Sequence, residues 1–292
     1  MSVPPDGVLT LERLSVRLPA GADRPHALSD VSLSVAGNEI LCVVGESGSG
    51  KSIMANAIMR LLPNGIGIDG GRVMFEGRDL ATASPAQMRK VRGAGIAMIF
   101  QEPMAALNPL RTIGDQIGEM FSIHTGLSGS AIRAKIPALL ADVRIANPNL
   151  AAKAYPHELS GGQRQRAMIA MALALDPKLL IADEPTTALD VTTQAQILQL
   201  IRDLQKRSNT AVLFITHDFG VVAEIADRVA VMQHGAIVEQ GAARSVLQNP
   251  QHPYTRELIA AVPPLAAPAP RPLSDQMVLS IDDVSKTYRS GG

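Results

Sequence analysis

Apolar residues roughly alternate from Val8 to Leu18, the period of a half-buried strand. VSLSVAGNEILCVVG predicts two further strands, broken at Gly37-Asn38. A glycine-rich loop then runs into KSIMANAIMRLL, where the spacing of Ile, Met and Leu predicts a helix ending before Pro63-Asn64-Gly65. GGRVMFEG predicts a short strand ending in a turn, and GIAMIFQ a buried one. From Glu102 to Glu158 the period becomes helical, as in IGDQIGEM and AIRAKIPALLADV. KLLIAD and AVLFITH are short unbroken apolar runs, the pattern of parallel strands covered on both faces. They flank the helical TTQAQILQLIRDLQKR, and RVAVMQHGAIVEQG predicts a hairpin turning at His234-Gly235.

Strands alternating with helices argue for an α/β domain with a parallel sheet and crossover helices, interrupted by a helical insertion. Past Val262 the chain becomes PPLAAPAPRP, a Pro/Ala-rich linker. VLSIDDVSKTYRSGG then repeats the opening segment at an offset of 270 residues, Leu9, Leu11, Leu14 and Ser15 matching Leu279, Ile281, Val284 and Ser285. The expected organisation is one domain over 1–265 with its helical part at about 102–158, a linker at 266–277, and at 278–292 the first strand of a second, truncated copy.

Composition changes the picture in three places. Apolar residues are 46% and charged residues 18%, so the chain reads as globular. Lys plus Arg and Asp plus Glu both number 27, which argues against a nucleic-acid partner gripped through its phosphates. The single Cys42 excludes an internal disulfide or a cysteine-rich metal site, and within ILCVV it reads as a small buried hydrophobe. No basic segment followed by an apolar stretch opens the chain. AMIAMALAL (Ala167 to Leu175) is about half of what a bilayer core requires, so membrane work would pass through a partner.

GESGSGKS (Gly45, Glu46, Ser47, Gly48, Ser49, Gly50, Lys51, Ser52) fits GxxxxGK[ST] between an apolar strand and a helix. Glycines let backbone N–H groups wrap phosphates, and the following helix N-terminus favours negative charge. Lys51 adds a point charge on the β- and γ-phosphates, and the Ser52 hydroxyl can ligate Mg²⁺. LLIADEP ends a buried strand in two carboxylates, which places Asp183 to hold Mg²⁺ and Glu184 to polarise an attacking water. LSGGQ contributes Ser160, Gly161, Gly162 and Gln163 before the helix RQRAMIAMALAL, a second helix-N-terminus anion site. Arg164 and Arg166 read as solvated or structural.

With these motifs the chain resembles the nucleotide-binding domains of ABC transporters over nearly its whole length. The resemblance implies a P-loop NTPase (RecA-like) core, an N-terminal antiparallel β-subdomain, ATP and Mg²⁺ as ligands, and Mg-dependent ATP hydrolysis. It implies that Gln101, ending GIAMIFQ, senses Mg²⁺ and the γ-phosphate, that Asp190 in TTALD links the two sites of a dimer, and that His217 in FITHD contacts the γ-phosphate. It also implies head-to-tail dimers in which each ATP lies between one P-loop and the opposite LSGGQ.

A narrower resemblance is to the importer branch for peptides, glutathione, nickel and opines. It is carried by IAMIFQEPMAALNPLRTIGDQI, YPHELSGGQRQRAMIAMALA, DEPTTALDVTTQAQIL and NPQHPYTRELIAAVP. That resemblance implies two transmembrane permease subunits, an extracytoplasmic solute-binding protein reached indirectly, and a peripheral place on the cytoplasmic face of the inner membrane. The second nucleotide-binding domain is expected in the same full-length chain. Met104, Leu107, Leu110 and Ile113 either supply the apolar part of a permease-docking groove or fill the helical subdomain.

The main rival is a soluble tandem ABC ATPase acting on ribosomes or nucleic acid, for which a long charged linker between copies is expected. A chromosome or DNA-repair ATPase would place a long coiled coil between the P-loop and LSGGQ. A degenerate regulatory domain would not keep Lys51, Asp183, Glu184 and His217.

One departure concerns the adenine. Related domains place an aromatic at the end of the first strand; that position is Leu18 here, and Tyr288 in the repeat. Leucine lacks the aromatic face, so base stacking at this site is expected to be weaker. The variant Leu18→Tyr is therefore expected to bind ATP more tightly in an equilibrium titration, and an unchanged affinity would defeat the idea.

Overall fold

The computed structural model describes residues 7–101, 106–187, 189–262 and 279–287. The chain divides into two units, 1–261 and 262–292, each taken by itself.

In the first unit β1 (Leu9–Arg17) pairs antiparallel with β2 (His26–Val35) on one side and β4 (Gly67–Phe75) on the other. With β5 (Arg78–Asp79) they make a four-stranded sheet of order β2-β1-β4-β5. The second sheet has six strands in the order β10-β9-β3-β8-β7-β6. Here β3 is Ile40–Val44, β6 Ile96–Ile99, β7 Leu179–Asp183, β8 Ala211–Thr216, β9 Arg228–Gln233 and β10 Ala236–Ala242. Neighbours from β9 through β6 pair parallel, while β10 folds back on β9 through the His234-Gly235 turn.

All five residues of β3 are buried because the sheet is covered on both faces. Leu41 and Val43 pack with Leu9, Leu11 and Leu14 of the antiparallel sheet and with Met54 and Ile58 of α1 (Lys51–Met59). Ile40, Cys42 and Val44 point the other way, into a core built mainly with helices. Burial pushes the Cys42 thiol pKa far up, and the nearby Asp227 carboxylate adds to this, so the group is an inert neutral thiol.

Beyond α2 (Pro85–Val91), the helical segment contains α3 (Ile113–His124), α4 (Gly129–Asp142) and α5 (Pro148–Ala151). It leads into α6 (Gly161–Leu173), and α7 (Val191–Ser208) joins β7 to β8. The unit closes with α8 (Phe219–Ile225), α9 (Ala243–Gln248) and α10 (Pro253–Ala260).

Two boundaries differ from the sequence reading for local reasons. Helix α1 stops at Met59 because Arg60 turns left-handed (φ 52°). The Arg92 guanidinium then donates to the carbonyls of Met59 at 3.0 and 2.9 Å and of Arg60 at 2.9 Å, satisfying a helix end that would otherwise lack partners. Strand β4 starts early, at Gly67, because Gly67 and Ile68 pair with Arg17 and Val16.

In the second unit residues 279–287 form neither helix nor strand, and all are exposed. Val278, residues 288–292 and the expected linker at 266–277 lie outside the described residues. No helix among the described residues is long and apolar enough to cross a membrane.

Phe214, at the middle of the central β8, has no exposed surface. The variant Phe214→Ala is expected to lose about 3–5 kcal/mol of stability through the cavity it leaves, read as a lower urea midpoint at unchanged slope.

Candidate functional site

The parallel strands end level. Val44 of β3 is paired with Thr216 of β8, Ile215 with Asp183 of β7, and Ala182 with Ile99 of β6. The residues that follow therefore leave the same sheet edge: Gly45 after β3, His217 after β8, Glu184 after β7, and Gln101 just beyond β6. Such an edge is where open α/β sheets bind ligands. A cleft of about 460 Å³ lies there, bordered by Gly45, Glu46 and Ser47, by Gln101, Glu184 and His217, and by Phe219 and Leu258.

The loop Gly45–Ser52 depends on its glycines. Gly45, Gly48 and Gly50 have φ of +155°, +79° and +107°; a Cβ on Gly45 would sit 2.2 Å from the Met232 carbonyl oxygen, and one on Gly50 2.9 Å from that of Ala27. Gly50 starts α1 without a side-chain cap, leaving first-turn N–H groups available to an anion. The Lys51 ammonium is buried and donates to the carbonyls of Gly45 (2.7 Å) and Glu46 (2.8 Å) and to Ser49 Oγ (3.3 Å). Burial lowers its pKa, against the pull of Glu184, Asp183 and Glu46.

Ser52 Oγ donates to Asp183 Oδ1 at 3.2 Å. Burial raises the Asp183 pKa; the Ser52 bond opposes this, the Glu184 charge adds to it, and Lys51 again opposes. Glu184 adopts a left-handed backbone (φ 46°), and its N–H donates to the Ile215 carbonyl at 2.9 Å. Its carboxylate collects three partners: Gln101 Nε2 at 3.2 Å and Thr187 Oγ1 at 3.0 Å on Oε2, and His217 Nδ1 at 3.1 Å from Oε1. Gln101, Glu184 and His217 are thus brought together, next to the loop that holds Lys51.

Ser160, Gly161, Gly162 and Gln163 do not border this cleft. They start α6, where Ser160 and Gln163 form a reciprocal cap: Ser160 N–H donates to Gln163 Oε1 at 2.9 Å, and Gln163 N–H to Ser160 Oγ at 3.3 Å. Asp190 caps α7, accepting from the N–H (2.9 Å) and hydroxyl (2.7 Å) of Thr193, bonds that hold its carboxyl below the usual carboxylate range. A Cβ on Gly162 would lie 3.0 Å from Thr193 Cγ2, so the starts of α6 and α7 meet at Thr193. One copy of the chain therefore carries the expected site residues on two separate patches.

Leu107 and Ile113 are buried in the helix-side core, where they fill the helical subdomain; Leu110 is 84% exposed, and Met104 lies outside the described residues. Arg166 spans from the Val143 carbonyl (3.0 Å) to Gln196 (2.8 Å), and Arg164 holds the Leu159 carbonyl at 2.9 Å, both structural contacts. Leu18 is partly buried against the antiparallel-sheet core, beside a loop whose Arg24 donates to the Gly48 carbonyl at 2.7 Å. Sequence reasoning missed Tyr254, whose hydroxyl accepts the Glu46 N–H at 3.1 Å. Its only signal was the NPQHPYTRELIAAVP segment.

The residues suit a polyphosphate and a hard cation. A glycine cradle that no side chain could occupy is followed by a buried ammonium and by the Ser52–Asp183 oxygen pair. Among the described residues no group of three or more His, Cys, Asp or Glu could hold a metal ion by itself, so remaining ligands would come from water or phosphate oxygens.

Comparison with known proteins agrees with this geometry. The family profile described as ABC transporter matches residues 28–187, and that of the oligopeptide/dipeptide transporter C-terminal region matches 238–286. The probable peptide ABC transporter ATP-binding protein y4tR of Sinorhizobium fredii is 56% identical over 82% of this chain and 71% of its own length. The peptidoglycan transport ATP-binding protein YejF of Agrobacterium fabrum is 50% identical over 95% of this chain and 51% of its own. The glutathione import ATP-binding protein GsiA of Shigella boydii is 51% identical over 89% and 43%. The chain thus spans about half the length of the latter two relatives. Among solved structures, a dimeric ATP-binding cassette in a post-hydrolysis state bound to ADP and Pi superposes with a TM-score of 0.71 at 28% identity, covering 81% of this chain and 99% of its own. The cbiO1 subunit of Clostridium perfringens gives 0.72 at 27%, covering 84% and 92%.

A carboxyl whose pKa is raised on folding stabilises the fold at low pH, and that contribution is lost as pH rises through the raised value. Asp183 carries such a shift, and Asp183→Asn keeps an oxygen acceptor for Ser52. In the nucleotide-free chain this variant is expected to melt at a higher temperature than wild type near pH 7, with the gain shrinking toward about pH 4, where carboxylates protonate in the unfolded chain. Melting curves across that range check the sign.

Proposed function

The chain belongs to the ABC transporter family, and on that premise we propose that it binds ATP with Mg²⁺ at the edge of β3, β8, β7 and β6 and hydrolyses it to drive import of peptides or related small solutes. The observation that carries this reading is the convergence of Gln101, Glu184 and His217 on one cleft beside the glycine loop and the buried Lys51.

The loop N–H groups and α1 N-terminus cradle the phosphate chain, and Lys51 turns from its carbonyl partners to the β- and γ-phosphate oxygens. Ser52, Asp183 and Gln101 would hold Mg²⁺, which when bound would neutralise phosphate charge. Glu184 orients and polarises the attacking water. Gln101, Thr187 and His217 hold that carboxylate, and His217, with its side chain 61% exposed, can also reach the γ-phosphate. Water adds to the γ-phosphorus, the bond to the bridging oxygen breaks, and ADP and inorganic phosphate leave. Most of the rate then comes from positioning and charge stabilisation.

Ser160, Gly161, Gly162 and Gln163 sit apart from the cleft, so they serve the nucleotide of a second ABC domain packed head-to-tail, with Asp190 at the junction between sites. That a similar solved cassette is dimeric supports a pairing of two such domains. The offset repeat at 278–292 favours a second domain in the same full-length chain. Two permease subunits, an indirectly coupled solute-binding protein and a peripheral position on the cytoplasmic face of the inner membrane are supported by the importer relatives. Those relatives handle peptide, glutathione and peptidoglycan by their names, which favours peptide-like solutes over a bare metal ion.

Glu184→Gln is expected to bind ATP within about twofold of wild type while kcat falls about 100-fold or more, the usual loss when a positioned base is removed. The assay pairs each variant with its natural dimer partner. Undiminished turnover would overturn the mechanism.

A further inference from the structure

The peptide unit joining Gly45 to Glu46 is held at both edges. Its carbonyl accepts from Lys51 Nζ at 2.7 Å, and its N–H donates to Tyr254 Oη at 3.1 Å. The lysine is local, whereas the tyrosine lies 208 residues further along the chain. Glycine at 45 is required by its close approach to Met232. The same glycine leaves the adjoining peptide free to rotate unless something holds it.

Tyr254 is well placed to hold it. Its side chain is buried, and burial raises the phenol pKa, so the ring carries a neutral hydroxyl. The helix that carries it is clamped at its start. His252 caps α10 through the Tyr254 N–H at 3.3 Å. The Glu239 carboxylate of β10 accepts from the N–H groups of Gln251 (2.8 Å) and His252 (3.0 Å). Arg256 donates back to the carbonyls of Pro250 (2.9 Å) and Gln251 (3.2 Å). One helical turn beyond Tyr254, on the same face, Leu258 borders the cleft alongside Gly45, Glu46 and Ser47.

When Lys51 turns toward phosphate charge it gives up part of its hold on the Gly45 carbonyl. The bond from Glu46 to Tyr254 then keeps the loop entrance in its phosphate-accepting orientation. A loop already ordered loses less entropy on binding.

We propose that Tyr254 is a positioning residue for the phosphate loop, so that the C-terminal segment 250–260 sets the affinity of the site for ATP. This rests on the ATPase reading given above.

The test uses the 292-residue chain and Mg-ATP, with Tyr254→Phe removing only the hydroxyl. A single net hydrogen bond corresponds to a loss of about threefold to tenfold in ATP affinity. In turnover assays with the dimer partner, KM is expected to rise by that factor while kcat stays within about twofold, because the tyrosine touches no reacting atom. Equal ATP affinity in the two proteins overturns the proposal, as does a fall in kcat at unchanged KM. If Tyr254→Phe does not fold, Glu239→Gln loosens the same clamp and is expected to weaken ATP binding in the same direction; unchanged affinity there overturns the proposal equally. Wild-type chain that binds no ATP would instead sink the ATPase reading itself.

Discussion

The level parallel pairing of β3, β8, β7 and β6 is the constraint on which the rest of the site depends. The register that sets Val44 opposite Thr216, Ile215 opposite Asp183, and Ala182 opposite Ile99 fixes the heights at which four chain segments leave the sheet. A parallel strand slipped by one residue would bury the wrong face and also carry its terminal side chain away from its neighbours. Here both faces are packed, one against the antiparallel sheet and α1 and the other against helices, so register is enforced by two cores at once. The position of a glutamate, a histidine and a glutamine is a consequence of aliphatic packing behind them.

That packing also sets the electrostatics. Asp183 is the last buried residue of β7 and Glu184 the first beyond it, so one carboxyl is desolvated while the next gathers three polar partners. Lys51 sits close enough to feel both, with its own charge disfavoured by burial. The ammonium is held by carbonyls of its own loop. Such a site is arranged for a ligand bearing several negative charges together with a cation, and it is less comfortable without them.

The second patch follows a different logic. Ser160 and Asp190 each cap a helix, and Thr193 stands where the two helix starts meet. The caps use short side chains bonded to nearby backbone, so these residues are locally satisfied and their orientation is independent of the cleft. Tyr254 is the opposite case: its ring is held by tertiary packing, and its hydroxyl acts on a peptide at the far end of the sequence.

Much of the candidate site was legible in the amino-acid order alone. GESGSGKS, LSGGQ, LLIADEP and FITHD each keep their working residues within a few positions of a strand end or helix start, and local backbone geometry is enough to present them. Apolar runs predicted the parallel strands because two-sided burial leaves that mark. Side-chain destinations in the helical segment were not legible: Leu107 and Ile113 carry the same apolar signal as Leu110, and only packing decides that two are core and one is exposed. The Pro/Ala-rich junction and the repeat after it carry sequence information that residues 279–287 do not convert into a strand. What tertiary structure alone decided is how separate motifs meet. The Glu184 carboxylate between Gln101 and His217, and the Tyr254 hydroxyl on the Glu46 N–H, join residues tens to hundreds of positions apart. Such bonds leave no periodicity or spacing in a sequence, because they are fixed by the register and packing of the whole domain.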